Sequence, residues 1–305
     1  MSVNKWIEKN IKSLDGKRIV ITGANSGIGF EAAKICAFKG ATVILACRSF
    51  ERASKAVQLI KKDYPNAKLS IMIYDQSSLK SIDEFVNNLI NEYEYIDALI
   101  ANAGIYHPSM NQKTKDNLPL TLGVNYFGCY YLVNKLLPYL EQNENSRIIL
   151  VSSLTYRFAK YKNLSFLEED DKNVSKNYGL SKLAIVKLFI HLINNSKVKV
   201  LMMHPGISST NIFSSSNNNF PRWFQKLAHI FLPLFTHSPH KACLGMVKLA
   251  SDENIENGTY LGPRGPFGIS GYPIKKRIPK RIYKDVSLFI DETNKILEKV
   301  KKENE

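Results

Sequence analysis

The sequence predicts an α/β protein, with one doubly wound parallel sheet of about seven strands and helices on both faces. Three observations predict it. Short apolar, β-branched runs alternate with longer segments of helical periodicity along most of the chain, which is the pattern of βαβ units. Those runs are near-continuously apolar, as strands covered on both faces are. The first run also ends in a glycine-rich turn that leads directly into a helix.

Taken in order, Met1 to Leu14 mixes Lys5, Lys9 and Lys12 with Trp6, Ile7 and Ile11. It lacks the long apolar stretch of a secretory signal and predicts an amphipathic surface helix. Arg18 to Thr22 (RIVIT) is the first strand. Ser26 to Phe38 follows as a helix, with Ile28, Ala32, Ile35 and Phe38 at helical spacing. Further strands are expected at Ala41 to Ala46, Lys68 to Tyr74, Ile96 to Ala101, Arg147 to Ser152, Val198 to His204 and near Thr259 to Leu261. Helices over Glu51 to Tyr64, Ser77 to Tyr93, Leu122 to Leu140, Asn177 to Asn194 and Ser238 to Ala250 separate them. No internal repeat or low-complexity linker interrupts the series, so the expectation is one domain over residues 1–305. Its core would span about 16–262, with a variable segment over 207–240 and a C-terminal extension over 263–305.

Composition narrows the class. The chain has 305 residues, 44% of them hydrophobic, enough for a substantial core. No run of about 18 apolar residues predicts a membrane span. Cys36, Cys47, Cys129 and Cys243 are far apart and form no C-x-x-C pair, so neither a metal site nor a disulfide framework is expected. A reducing cytoplasm fits this cysteine usage. The net charge of +15 raises nucleic-acid binding, but the basic residues are scattered and charge alone says nothing about chemistry. Their one cluster, Lys275, Lys276, Arg277, Lys280 and Arg281, is broken by Pro279 and preceded by Pro273. No nucleic-acid partner is expected.

Two groups of residues point to chemistry. Gly23, Asn25, Ser26, Gly27, Ile28 and Gly29 form the turn between the first strand and its helix. Glycines there let the backbone approach a pyrophosphate, and the helix N-terminus offers free N–H groups. The second strand ends in Ala46-Cys47-Arg48 with no acid to take a ribose 2′-hydroxyl. Arg48 suits a 2′-phosphate instead, so NADP(H) is expected in preference to NAD(H). Farther on, Tyr178 and Lys182 are four apart on one helix face. An ammonium beside a tyrosine stabilises the phenolate and would lower its pKa. Ser152 and Ser153 close a strand at the carboxyl edge of the sheet, where a hydroxyl can meet a substrate oxygen. Asn102, Ala103 and Gly104 follow another strand end, and Asn125 stands in an apolar helix where it needs a polar partner. Each of these features alone also has an ordinary structural explanation.

Together and in this order, they resemble the short-chain dehydrogenase/reductase family, whose fold is of the Rossmann type. The likeness runs roughly from Gly16 to Gly262. Thr22 to Gly29 matches the TGxxxGxG turn, Asn102-Ala103-Gly104 the NAG motif, and Val124-Asn125 the helix asparagine. Ser153, Tyr178 and Lys182 match the catalytic serine and the YxxxK pair, and Pro205-Gly206 with Thr210 the PGxxxT segment at the nicotinamide end. Ala46-Cys47-Arg48, the long segment between Ser153 and Tyr178, and Ser181-Lys182-Leu183-Ala184 look like the retinol dehydrogenase-like branch. Three positions depart from the usual pattern: Ala101 for an asparagine, Gln76 for an apolar residue, and Tyr126 for a frequent histidine.

The resemblance implies an oxidoreductase that interconverts an alcohol and a carbonyl by hydride transfer. It implies that Asp75 lies near the adenine, that Asn125 holds a water-linked proton relay, and that Lys182 contacts the nicotinamide ribose. Pairing of two copies through the helices holding Asn125 and Tyr178 is implied as well. The segment after Thr210 carries Phe220, Trp223, Phe224, Leu227, Ile230, Phe231, Leu234 and Phe235, which predicts a hydrophobic lid and an apolar substrate. With Arg222, Lys226 and the basic cluster it also fits a peripheral membrane contact. A non-catalytic NADP-binding sensor or scaffold is the alternative function, and the retained serine, tyrosine and lysine argue against it.

Overall fold

The computed structural model describes residues 1–106, 112–161, 164, 174–207 and 237–304. Within them, eight strands form one sheet: β1 (Arg18–Thr22), β2 (Thr42–Cys47), β3 (Lys68–Ile73), β4 (Ala98–Ala101), β5 (Arg147–Val151), β6 (Lys199–Met203), β7 (Tyr260–Pro263) and β8 (Pro273–Lys275). Their order is β3-β2-β1-β4-β5-β6-β7-β8. Pairing from β3 through β7 is parallel, and β8 adds an antiparallel edge. The seven parallel strands are those expected from the sequence. The eighth comes from the C-terminal extension, where Pro273 and the exposed Ile274 and Lys275 give no strand pattern. Its pairing with β7 is a tertiary event.

The strand order reverses between β1 and β4. In an open α/β sheet, the crevice at such a reversal is where ligands bind, beyond the carboxyl ends of the strands. The turns after β1, β4, β5 and β6 all open at that edge. Alternate residues of each strand serve opposite layers, as a pleated strand requires. Val20, Ile44, Leu99 and Ile148 face one core, and Ile19, Ile21, Val43 and Ile100 the other.

Helices α1 (Val3–Asn10), α2 (Gly27–Phe38) and α3 (Phe50–Asp63) contribute to the second core. The α1 helix is docked: Trp6 and Ile7 are buried, and Trp6 stacks on Tyr272 at 5.4 Å. Helices α4 (Leu79–Glu92), α5 (residues 120–140) and α6 (Val174–Asn195) contribute to the first core. Two helices, α7 (Pro239–Ala242) and α8 (Leu244–Ser251), follow, with a break at Cys243 where the sequence suggests one continuous helix. Among the described residues, no helix is long and apolar enough to cross a membrane.

The α5 helix departs from an ordinary α-helix. It starts as Leu120–Leu122, widens into a π-helical turn over Gly123–Gly128, and continues as Cys129–Leu140. Glycines bound the widened turn because neighbours press on it. A Cβ at Gly123 would lie 2.4 Å from Thr114 Cγ2, and one at Gly128 2.1 Å from the Gln76 carbonyl oxygen. Asn125 stands in the middle of this turn. Such π-turns recur at functional sites.

The C-terminal extension ends in α9 (Val286–Asn304), which lies across α5 and α6. Phe289, Ile290, Leu297 and Val300 are buried there. The Tyr126 and Thr293 hydroxyls are 2.8 Å apart, and the Tyr130 hydroxyl donates to Asn294 Oδ1 at 2.6 Å. Glu292 Oε2 accepts from the Tyr161 hydroxyl at 2.7 Å, and Lys187 Nζ donates to the Lys284 carbonyl at 2.7 Å. Tyr126, unusual for the resembled family, is thus the residue through which α9 grips the π-helical turn.

Candidate active site

The glycine turn meets the requirements of a dinucleotide cradle. Gly23 and Gly27 adopt left-handed φ values of 67° and 56°, which disfavour any side chain. A Cβ at Gly29 would come within 2.4 Å of the Gly23 carbonyl oxygen and 2.6 Å of Asn102 Nδ2. The Ser26 side chain forms no capping hydrogen bond, so the first-turn N–H groups of α2 remain open to an anion. Asn25 and Ile28 complete the same turn. These features fit a bound pyrophosphate.

The turn is joined to the end of β4 by Thr22, which the sequence places in the turn motif without giving it a task. Thr22 is fully buried, and its hydroxyl accepts from the amides of Asn102 at 3.0 Å and Ala103 at 2.9 Å. Asn102 Nδ2 in turn donates to the Thr22 carbonyl at 2.9 Å. A threonine closing an apolar strand just before glycine is the available signal, and it reads equally well as strand packing.

Asp75 follows β3 and is buried. Burial pushes its pKa up, but hydrogen bonds from the Ser77 hydroxyl and amide, together with Lys115, outweigh burial and hold it below the ordinary carboxylate value. Arg48, one residue past β2, is exposed and makes no ion pair among the described residues. It is a cation beside the turn that could take a phosphate.

Ser153, Tyr178, Lys182 and Asn125 converge where β4 and β5 end. Ser153 caps the short 3-10 turn Leu154–Arg157, its hydroxyl accepting from the Thr155 amide at 3.4 Å. Tyr178 lies on α6 and meets Tyr106 edge-on at 5.1 Å. Burial pushes the Tyr178 hydroxyl above its ordinary pKa, opposed by its hydrogen bond with Ser153. Lys182 Nζ donates to the Val151 carbonyl at 3.1 Å and lies 5.8 Å from the Tyr178 ring centroid. Burial draws its own pKa down from 10.5 to about 8. The rise at Tyr178 comes first from loss of solvation, with Tyr106 adding to it and the Ser153 hydrogen bond opposing it.

Asn125 is 1% exposed and fully engaged. Its Oδ1 accepts from the Ile105 amide at 2.7 Å, and its Nδ2 donates to the Ile105 carbonyl at 2.9 Å and to Ser181 Oγ at 3.0 Å. Ser181 Oγ passes the chain on to the Tyr178 carbonyl at 2.8 Å. A Cβ at Gly104 would stand 3.1 Å from Asn125 Oδ1 and 3.4 Å from Lys182 Nζ, so the three residues meet. Ile105 and Ser181 were absent from the expected set. Ser181 was legible as the residue three after Tyr178, whereas nothing in the sequence marks Ile105.

Pro205 and Gly206 follow β6. Gly206 has a φ of 76°, and a Cβ there would stand 2.1 Å from the Ile269 carbonyl oxygen. The Pro205 carbonyl is held by His237 Nε2, and the Gly206 amide donates to His204 Nδ1 at 3.2 Å. Burial, with Lys276 and Arg157 nearby, lowers the His204 pKa to about 3 and keeps it neutral. Thr210 lies outside the described residues, as does most of the expected lid over 207–240.

The family description "short chain dehydrogenase" matches residues 17–220, covering the glycine turn, the Asn125 helix and the Tyr178/Lys182 pair. The chain belongs to the short-chain dehydrogenase family. This short-chain dehydrogenase is 33% identical over 251 residues to retinol dehydrogenase 13 of Mus musculus, covering 80% of this chain and 74% of that protein. It is 35% identical over 257 residues to the WW domain-containing oxidoreductase of Gallus gallus, across 80% of this chain and 60% of that protein. The chain therefore spans less than two thirds of the latter's length. A short-chain dehydrogenase from Shigella flexneri, solved with NADP, shares the fold at a TM-score of 0.62 and 20% identity, over 82% of this chain and 97% of that one. Within its family, the chain is retinol dehydrogenase-like. The family is one of oxidoreductases that use a nicotinamide dinucleotide.

Proposed function

We propose that this short-chain dehydrogenase is an NADP(H)-dependent oxidoreductase that interconverts an alcohol and an aldehyde or ketone on an apolar substrate. The convergence of Ser153, Tyr178, Lys182 and Asn125 in a fold that carries the glycine-turn cradle supports the reading. Arg48, exposed and without a carboxylate competitor at the end of β2, supports NADP(H) over NAD(H). The Shigella flexneri protein solved with NADP is consistent with that choice. Pro205, Gly206 and Thr210 would border the nicotinamide end.

In the proposed reaction, Ser153 and Tyr178 hydrogen-bond the substrate oxygen as its charge changes. With its pKa above the ordinary tyrosine value, Tyr178 stays protonated at neutral pH and holds the proton that a carbonyl oxygen takes under reduction. When bound, the nicotinamide supplies or accepts the hydride. Lys182 would hold the nicotinamide ribose, and Asn125 and Ser181 hold the backbone on which Tyr178 is carried. The test is NADPH oxidation against aldehydes and ketones of increasing apolar length. Turnover should rise with chain length and vanish in Tyr178→Phe, while NADPH binding persists. Undiminished turnover in that variant would sink the assignment.

A peripheral membrane contact is favoured by a separate observation. Phe158 and Phe267 are 86% and 87% exposed. Their turns touch, since a Cβ at Gly268 would lie 3.5 Å from Leu154 Cδ2. Arg281 donates to the Arg157 carbonyl beside them, and Lys276 lies within electrostatic reach of Arg157. Exposed aromatic rings among cations suit an anionic lipid surface. Arg222 and Lys226 lie outside the described residues. Sedimentation with phosphatidylserine vesicles should carry the protein down, and replacing both phenylalanines by serine should release it. Failure of the unaltered protein to sediment rejects the contact. The buried, unpaired cysteines suit a reducing compartment such as the cytoplasm. A homodimer through α5 and α6 would have to accommodate α9, which packs against both.

A further inference from the structure

Gln76 stands where the resembled family favours an apolar residue, and the structure gives each polar atom of its side chain a task. It follows Asp75 at the carboxyl end of β3 and is 7% exposed. Its Oε1 accepts from the Tyr74 hydroxyl at 2.8 Å. Its Nε2 donates to the Val124 carbonyl at 2.5 Å and to the Ala103 carbonyl at 3.2 Å. Carbonyl oxygens only accept, so the nitrogen must face them and the side chain has one orientation. Its backbone is held too, because Gly128 of the π-helical turn rests on the Gln76 carbonyl oxygen.

The two segments bridged by Gln76 are those that Asn125 bridges. Val124 immediately precedes Asn125, and Ala103 lies two residues before Ile105, whose amide and carbonyl pair with the Asn125 side chain at 2.7 and 2.9 Å. The two carboxamides are therefore successive rungs between the end of β4 and the π-helical turn. We infer that Gln76 is a positioning residue: it sets the spacing between the Asn102-Ala103-Gly104 segment and α5, and thereby the placement of Asn125. An apolar residue would leave both carbonyls without this donor, and the turn would be free to shift against β4. The shift would pass through Asn125 to Ser181 and the Tyr178 backbone. Gln76 also adjoins Asp75, so the adenine end and the proton-transfer end share one brace.

The kinetic part of the test rests on the reductase reading; the structural part does not. Gln76→Leu removes the whole network, and Gln76→Glu keeps the size and the acceptor for Tyr74 while removing the NH2 group that donates to both carbonyls. In both, kcat should fall about tenfold or more while the NADPH Kd and the KM stay within about threefold, as expected when an interaction that matters in the transition state is misplaced. Amide hydrogen exchange at Ile105 reports the Asn125 rung directly. It should accelerate about tenfold in both variants, with the Ile44 amide in the sheet unchanged. A purely structural role would lower the melting temperature yet leave kcat per folded molecule and Ile105 exchange intact, and that result overturns the inference. If the unaltered protein reduces no carbonyl compound, the reductase reading falls and Ile105 exchange alone decides: faster exchange upholds Gln76 as the brace, and unchanged exchange rejects it.

Discussion

Replacing Lys182 by methionine is expected to stabilise the cofactor-free protein while removing its turnover. Lys182 is 5% exposed, and its Nζ makes one hydrogen bond among the described residues, to the Val151 carbonyl at 3.1 Å. Burial draws its pKa from 10.5 to about 8. At about 1.4 kcal/mol per pKa unit, keeping the ammonium charged at neutral pH costs about 3 kcal/mol. Methionine fills similar space without the charge, and losing the hydrogen bond costs about 1 kcal/mol. The balance favours the variant by about 2 kcal/mol, which in a chain of this size is roughly 3 °C of melting temperature. The advantage depends on pH. Because the folded pKa of about 8 lies below the unfolded 10.5, the unfolded chain holds more protons between those values. Wild-type stability from this group therefore rises with pH across that window. The penalty is fully present below about 8 and gone above 10.5, so the gap between the proteins should close in alkali. Thermal melts followed by circular dichroism from neutral to alkaline pH would measure it. A variant that melts below the wild type at neutral pH, with a gap independent of pH, would refute the burial argument.

Two further outcomes follow from the cradle. Gly29→Ala puts a methyl group 2.4 Å from the Gly23 carbonyl oxygen and 2.6 Å from Asn102 Nδ2. Both the pyrophosphate turn and its tie to β4 must give way, and NADPH binding by fluorescence titration should weaken at least about tenfold. Arg48→Ala should weaken NADPH binding by about 10- to 100-fold, the worth of a charge-assisted phosphate contact, with little change for NADH. Equal loss for both nucleotides would remove Arg48 from the 2′-phosphate.

How much of this was legible in the sequence depends on whether a feature is local. The parallel strands could be read because each is an apolar run that must be buried on both faces wherever it lies. The glycine turn could be read because positive φ and close approach exclude side chains at Gly23, Gly27 and Gly29. The Tyr178/Lys182 pair follows from the pitch of one helix. Short local signals of this kind fix the family and the list of candidate residues.

What only the tertiary structure decided is how those residues act on one another. The raised pKa of Tyr178 and the lowered pKa of Lys182 come first from burial, which the spacing of the pair along one helix does not encode. At the π-helical turn holding Asn125, Thr114 and Gln76 press against Gly123 and Gly128, a contact that no helical period encodes. Gln76 and Tyr126 look in the sequence like departures from a pattern. In the fold, one bridges β4 and α5, and the other receives α9. Hydrogen-bond partners separated by 48 residues (Gln76 and Val124) or 167 residues (Tyr126 and Thr293) leave no local trace. A sequence records which groups need partners, but only the packed chain determines which partners they meet.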